Sequence, residues 1–418
     1  MKTIINFSIS IVLASGIATA DEVTDWNHIM LTAMLAQPVT PAPVATRTAA
    51  IFQSAVFDAA NGVAPLYKPI YVAPAAPRGT SIRAAVVQAA YASLLHLYPD
   101  QKSSLDQHRS DSLAAITDAN EAVQAGLIWG QYVADEIWGW RSLDGFSDSR
   151  PPYLGGNDPG QWRPTPPAMA PGLVPQLAQA APWVLQSPSQ FRPAGPAGLT
   201  SDQYTADFNE TKSMGGATNS GRTADATLYA SFWQAGNPPD YWDPVVISLA
   251  AEHHLSMVET AQALALVNMG IADSIVGCWD AKYAYSSWRP ITAIQLADSD
   301  GNDRTTADSA WTPLIVTPPF PEYPSAHSCA SGAATHILSQ KFGEESSFNV
   351  VSNAMPGVTR NFHNFTAALS EVVNARIYGG IHFRTACVDG TALGIAVGDY
   401  VMTHAVTPLR KKRQDQDQ

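Results

Sequence analysis

The sequence predicts an all-α protein of two helical halves joined by an irregular proline-rich connection. Three observations predict it. Apolar residues recur at three-to-four spacing over long windows, Ala and other helix formers are abundant, and alternating strand-like runs are scarce. The prolines are also unevenly placed, with 12 of the 31 falling in residues 151–197.

The first twenty residues carry one early charge at Lys2, an apolar stretch from Ile4 to Leu13, and Ala18-Thr19-Ala20 just before Asp21. That is the layout of a secretory signal peptide, so export, either secreted or periplasmic, is expected. In the first half, over 21–150, the doublets Ile51-Phe52, Ala55-Val56 and Ala59-Ala60 mark a helix face. A second helix is predicted over 81–98, stopping at Pro99, which cannot continue it, and a third over 118–138. The connection, 151–204, is too rich in proline for regular helix or central strand. It should wrap the surface, because Trp162, Trp183 and Phe191 lie within it and need burial. The second half, 205–407, predicts helices over 223–234, 245–277, 328–341 and 366–378. The run Ala330-Ser331-Gly332-Ala333-Ala334 leaves little side chain, so neighbours can approach that helix closely.

The apolar window 261–279 has the length of a membrane span but carries Gln262, Asn268 and Asp273. It reads as a buried helix, and no transmembrane segment is expected. Residues 408–418, with Arg410-Lys411-Lys412-Arg413, read as a solvated charged tail.

Composition narrows the function. The chain has 418 residues, 14% charged and 46% hydrophobic, which excludes a disordered chain. A net charge of −12 argues against a general nucleic-acid partner, which would need a basic field. Any anion site must therefore gather its cations in one place. The three cysteines, Cys278, Cys329 and Cys387, allow at most one bridge. A Cys329–Cys387 bridge and three buried thiols both fit the sequence.

Three blocks gather those cations: Lys282 to Arg289-Pro290, then Pro324-Ser325-Ala326-His327, then Arg376 to His382. They offer three permanent cations, two imidazoles and a hydroxyl. A tetrahedral oxyanion needs such a set: Lys and Arg for charge, Arg for bidentate geometry, Ser and backbone N–H for the remaining oxygens. One imidazole can attack or coordinate the central atom, and the other can move a proton.

In this order the blocks resemble the signature of the type 2 phosphatidic acid phosphatase and vanadium haloperoxidase superfamily: Lys-x6-Arg-Pro, Pro-Ser-Gly-His, then Ser-Arg-x5-His-x3-Asp. Trp279, Phe320 and the strings Pro319-Phe-Pro-Glu-Tyr-Pro324 and Ala375-Arg-Ile-Tyr-Gly-Gly-Ile-His-Phe-Arg384 look most like the soluble chloroperoxidase-like branch. The resemblance implies two helical bundles and a vanadate cofactor held apically by His382. Lys282, Arg289, Ser325, the Ala326 N–H and Arg376 would hold its oxygens, His327 would handle protons, and Trp279 and Phe320 would line a halide pocket. The substrates would be hydrogen peroxide and halide.

In the alternative, acid phosphatase reading, no cofactor is needed. His382 attacks a phosphate ester to form a phosphohistidine, and His327 protonates the leaving alcohol. A non-catalytic oxyanion-binding protein is a third reading. The sequence has no His-Glu-x-x-His, no Gly-x-Ser-x-Gly and no phosphate-binding Gly-Lys-Ser/Thr loop. No interface is marked, so the oligomeric state stays open.

Three positions depart from the signature. Ala326 replaces Gly, adding a methyl but keeping the N–H. Ala375 replaces Ser. Ala386 replaces the Asp that would orient an imidazole, and Asp389 is the expected substitute if the segment is helical.

Overall fold

The computed structural model describes residues 21–36 and 41–409. The expected leader and the basic run at 410–413 lie outside them. Among the described residues the chain forms thirteen α-helices and one two-stranded hairpin. The first half holds α1 (Glu22–Leu35), α2 (Ala42–Val63), α3 (Ile82–Leu97), α4 (Lys102–Ala114) and α5 (Asn120–Arg141). The second half holds α6 (Asp202–Gly215), α7 (Ala224–Ala235), α8 (Pro238–Glu252), α9 (Met257–Tyr285), α10 (Pro290–Gln295), α11 (Ala326–Phe342), the hairpin β1 (Phe348–Val351) and β2 (Thr359–Phe362), α12 (Phe365–Tyr378) and α13 (Arg384–His404).

Local chemistry sets the ends. Ser81 caps α3 by accepting the Ala84 N–H at 3.2 Å, and the helix stops ahead of Pro99 as predicted. The predicted single helix over 245–277 is instead two helices, α8 and α9. His254 takes a left-handed φ of 53° in the break, and Ser256 with Glu259 forms a capping box that starts α9 afresh. Periodicity alone does not show that break, because the apolar pattern resumes in phase.

Helix α9 is the axis of the molecule. It is long and apolar enough to cross a membrane by length and composition, yet it is wholly buried within the protein. Three of its buried polar side chains are held by specific partners. Asn268 donates to Asp243 at 2.7 Å, Gln262 accepts from Lys341 at 2.6 Å, and Asp273 accepts the N–H groups of Trp183, Val184 and Leu185 at 2.6–3.0 Å. The main apolar cluster takes residues from α1 to α4 of the first half and from α7 to α9 and α11 to α13 of the second, so both halves share one core.

The Asp273 bonds explain how the proline-rich connection is held. The segment is irregular but ordered. Trp162 is fully buried, whereas Trp183 and Phe191 are half-buried. A carboxylate inside the core replaces the ladder that prolines forbid. Asp273→Asn leaves one or more of three N–H groups without an acceptor, and it is expected to cost about 2–3 kcal/mol in denaturant unfolding.

Helices α11 and α13 cross at the small-residue run. A Cβ on Gly394 would sit 2.1 Å from the Cys329 carbonyl, so only glycine allows this approach. The expected tail is tied down at its start, since Leu409 donates to the Leu66 carbonyl and Lys68 to that of Thr407, both at 2.9 Å.

Candidate active site

The three sequence blocks meet at one place because helix ends deliver them there. Lys282 lies on the last turn of α9, Arg289 immediately precedes α10, Ser325 immediately precedes α11, Arg376 lies on the last turn of α12, and His382 lies just before α13. The α11 N-terminus adds free N–H groups and the positive end of its dipole.

His382 is held from both sides. Its Nδ1 is 2.9 Å from Glu322 Oε1, and its Nε2 is 3.1 Å from Arg289 Nη1. An arginine only donates, so Nε2 must be the unprotonated nitrogen and Nδ1–H must point to Glu322. The neutral ring agrees with its electrostatics. Burial, then the charges of Arg289 and Lys282, push its pKa well below the ordinary histidine value. The site thus presents a lone pair at Nε2 before any ligand arrives.

Glu322 is the site residue that sequence reasoning missed. It accepts the Phe383 N–H at 3.0 Å as well as the His382 Nδ1–H. Burial raises its pKa to about 7, while the Phe383 N–H, Arg289 and Lys282 favour its charged form. The available signal was position, an acid three residues before Ser325 in the second block. The expectation for Asp389 is corrected. Asp389 lies on α13 whereas His382 precedes that helix, so the two share no helix face, and the Asp389 carboxylate accepts the Tyr323 hydroxyl at 2.6 Å. Glu322 already holds His382, so Asp389→Asn is expected to leave turnover within about twofold in a steady-state assay.

Around His382 lie buried polar atoms with no partner: Arg289 Nη2, Arg376 Nε, Ser325 Oγ and His327 Nε2. Orphaned groups of this kind are costly and rare in a folded core. The three cations are completely buried as well. Burial lowers Lys282 to about 8, Arg289 to about 9 and Arg376 to about 10. His327 is likewise kept neutral, by burial first and then by Arg376. A tetrahedral oxyanion would satisfy the orphaned donors and offset the buried charge, so the residues present fit vanadate or phosphate.

Two expected members stand differently from the simple picture. Lys282 gives its ammonium protons to the carbonyls of Pro321, Glu322 and Pro324, and it lies over the Phe320 ring at 5.1 Å. It supplies charge to the site while fixing the loop that carries Glu322 and Ser325. Trp279 is buried behind Phe320, with ring centroids 5.0 Å apart and its indole N–H on the Leu173 carbonyl. Phe320 lines the cavity and Trp279 does not, because the proline-rich connection covers this part of α9.

That cavity has a volume of about 690 Å³. Ala326, His327, Arg376 and His382 form its base. Its walls come from Leu173, the 234–237 turn, Pro318 to Phe320, Met34 and Leu35 at the end of α1, and Pro41 to Pro43 at the start of α2. The first half therefore shapes the entrance, which no motif in the sequence indicated. Cys278, Cys329 and Cys387 are all free and buried, so there is no Cys329–Cys387 bridge.

Comparison with known proteins agrees with this geometry. Residues 262–411 match the model of the VCPO second helical-bundle domain. The vanadium chloroperoxidase of Curvularia inaequalis is 22% identical over 394 residues, covering 75% of this chain, which spans 64% of that protein's length. The structure of a bacterial vanadium-dependent iodoperoxidase superposes with a TM-score of 0.83 at 26% identity, covering 94% of this chain and 98% of the other. A holo-type bacterial vanadium-dependent chloroperoxidase gives a TM-score of 0.70 at 18% identity, covering 90% and 97%, and shows likeness of fold. With the three blocks converging as they do, residues 262–411 form a domain of the VCPO second helical-bundle family, and the chain is similar in fold to vanadium-dependent haloperoxidases.

Proposed function

We propose that the protein is a vanadate-dependent haloperoxidase that oxidises halide with hydrogen peroxide. One observation carries the reading. Orphaned buried polar atoms of Arg289, Arg376, Ser325 and His327 accompany an unprotonated His382 Nε2, which accepts from Arg289, at the base of an open cavity. Bound vanadate would supply the Lewis-acid centre that activates peroxide toward halide.

The chain's own residues do the rest. His382 Nε2 offers the lone pair, and Glu322 keeps the proton on Nδ1. Arg289, Arg376 and Ser325 donate to the oxygens, and Lys282 adds charge. His327 Nε2, unbonded and beside the cavity, takes and returns protons as peroxide binds. Phe320 gives the cavity an apolar wall suited to a weakly hydrated halide. The substrates are small molecules, with no nucleic-acid partner, and the leader-like residues 1–20 support a secreted or periplasmic location.

The acid phosphatase reading uses the same atoms. A Glu322-backed lone pair on His382 is also what attack on phosphorus requires, with His327 protonating the leaving alcohol. Paired assays separate the two. Protein loaded with orthovanadate is given peroxide, bromide or chloride and a halogenation indicator, while apo protein is given p-nitrophenyl phosphate. Vanadate-dependent halogenation establishes the peroxidase. Phosphatase turnover inhibited by vanadate, without halogenation, replaces it. Silence in both favours a non-catalytic oxyanion binder.

Binding has its own readout. Orthovanadate at a hundredfold excess over its Kd is expected to stabilise the fold by about 2.7 kcal/mol, seen as a rise in Tm. Sulfate, whose charge is constant over the range, is expected to bind more weakly as pH rises past about 8. There Lys282, lowered to about 8 by burial, loses its charge. Calorimetric titration at pH 7 and pH 9 checks the sign.

A further inference from the structure

A second cavity lies on the opposite side of the Glu322–His382 pair, with a volume of about 340 Å³. It is bounded by the proline-rich connection, α6, the end of α9 and the start of α13. Aromatic rings dominate its walls, namely Tyr204, Tyr285, Trp288, Tyr323 and Phe383. Ala386, standing where the superfamily signature has Asp, leaves part of the space open.

Its charged lining is of one sign. Asp207 and Glu322 face it, and no Lys, Arg or His lines it. Both carboxylates are buried, at 3% and 2% exposure, so their field is poorly screened. The oxygens of Asp207 accept from the Gln203 amide and the Thr385 N–H. Glu322 takes both of its hydrogen bonds on Oε1, from His382 Nδ1–H and Phe383 N–H. Among the described residues, the hydrogen bonds to this carboxylate all fall on Oε1 and none on Oε2.

Aromatic faces around a buried anionic floor select an organic cation, through cation–π attraction and a charge-assisted hydrogen bond. The volume suits a molecule of about ten heavy atoms. We propose that this cavity is a binding site for small primary ammonium ions bearing an aromatic or apolar tail, with the ammonium on Glu322 and Asp207. The occupant would share a carboxylate with the catalytic histidine while staying outside the oxyanion cavity.

The test is calorimetric titration of the full apo chain with phenethylammonium and with 2-phenylethanol, its neutral counterpart. The ammonium is expected to bind at least about tenfold tighter. Saturating orthovanadate should not displace it. Gly198 lines the cavity, and a Cβ there meets nothing within 4 Å, so Gly198→Leu should fold normally and lose the amine by tenfold or more. Ala197→Trp is the second filler should the first misfold. Equal binding of amine and alcohol, no binding at millimolar amine, displacement by orthovanadate, or full affinity in a folded filler variant would each overturn the proposal. The amine titration needs no vanadate, so failure of the haloperoxidase reading leaves its outcome intact.

Discussion

His382→Ala is expected to remove halogenation and orthovanadate-dependent thermal stabilisation together. The partners of the imidazole fix its tautomer: Arg289 donates to Nε2, and Glu322 takes the Nδ1 proton. Without the ring, an oxyanion would still meet Arg289, Arg376 and Ser325 but would lack the His382 nitrogen lone pair. Differential scanning calorimetry with and without orthovanadate, run beside the halogenation assay, checks both losses. His327→Ala should separate them, keeping the orthovanadate-dependent rise in Tm while turnover falls by about 10²–10⁴. Stabilisation and halogenation both surviving in His382→Ala would disprove the assigned role.

Glu322→Gln is expected to lower turnover by about 10- to 100-fold with little loss of stability. The amide can still accept from Nδ1–H, but it no longer balances Lys282 and Arg289. It can also rotate its NH₂ toward the ring and turn the tautomer over. Stability changes little because burial has already raised Glu322 to about 7, so the fold makes little use of its charge. The pH profile identifies the cause. Activity that needs the carboxylate rises as pH increases through about 7, and that limb should vanish in the Gln variant. A residue acting only through packing would lower activity equally at every pH.

Much of the site could be read from the chain. Lys282, Arg289, Ser325, His327, Arg376 and His382 form three local blocks whose residue types already state an oxyanion chemistry, and the structure brings them together. Helices α3, α5, α7, α11 and α12 were legible for the same reason. Each carries its signal within one turn of its own sequence, as with Ser81 before α3 and Pro99 after it. Asp273 shows the intermediate case. Its place on an apolar helix announced burial, but its partners lie about ninety residues away in a stretch without periodicity.

The chain by itself determined the helical class, the buried character of α9 and which cations, imidazoles and hydroxyl stand as candidates for an anion site, because spacing, proline placement and side-chain chemistry are local properties. The tertiary structure decided which acid orients His382, that Lys282 acts through the 321–324 loop, and that Trp279 lies behind Phe320. It also decided that the first half walls the cavity. Each of these depends on direction and on contacts between distant segments. Asp389 and Glu322 were equally acidic in the sequence, and only the packing of the 321–325 loop against the turn before α13 gave His382 to one of them.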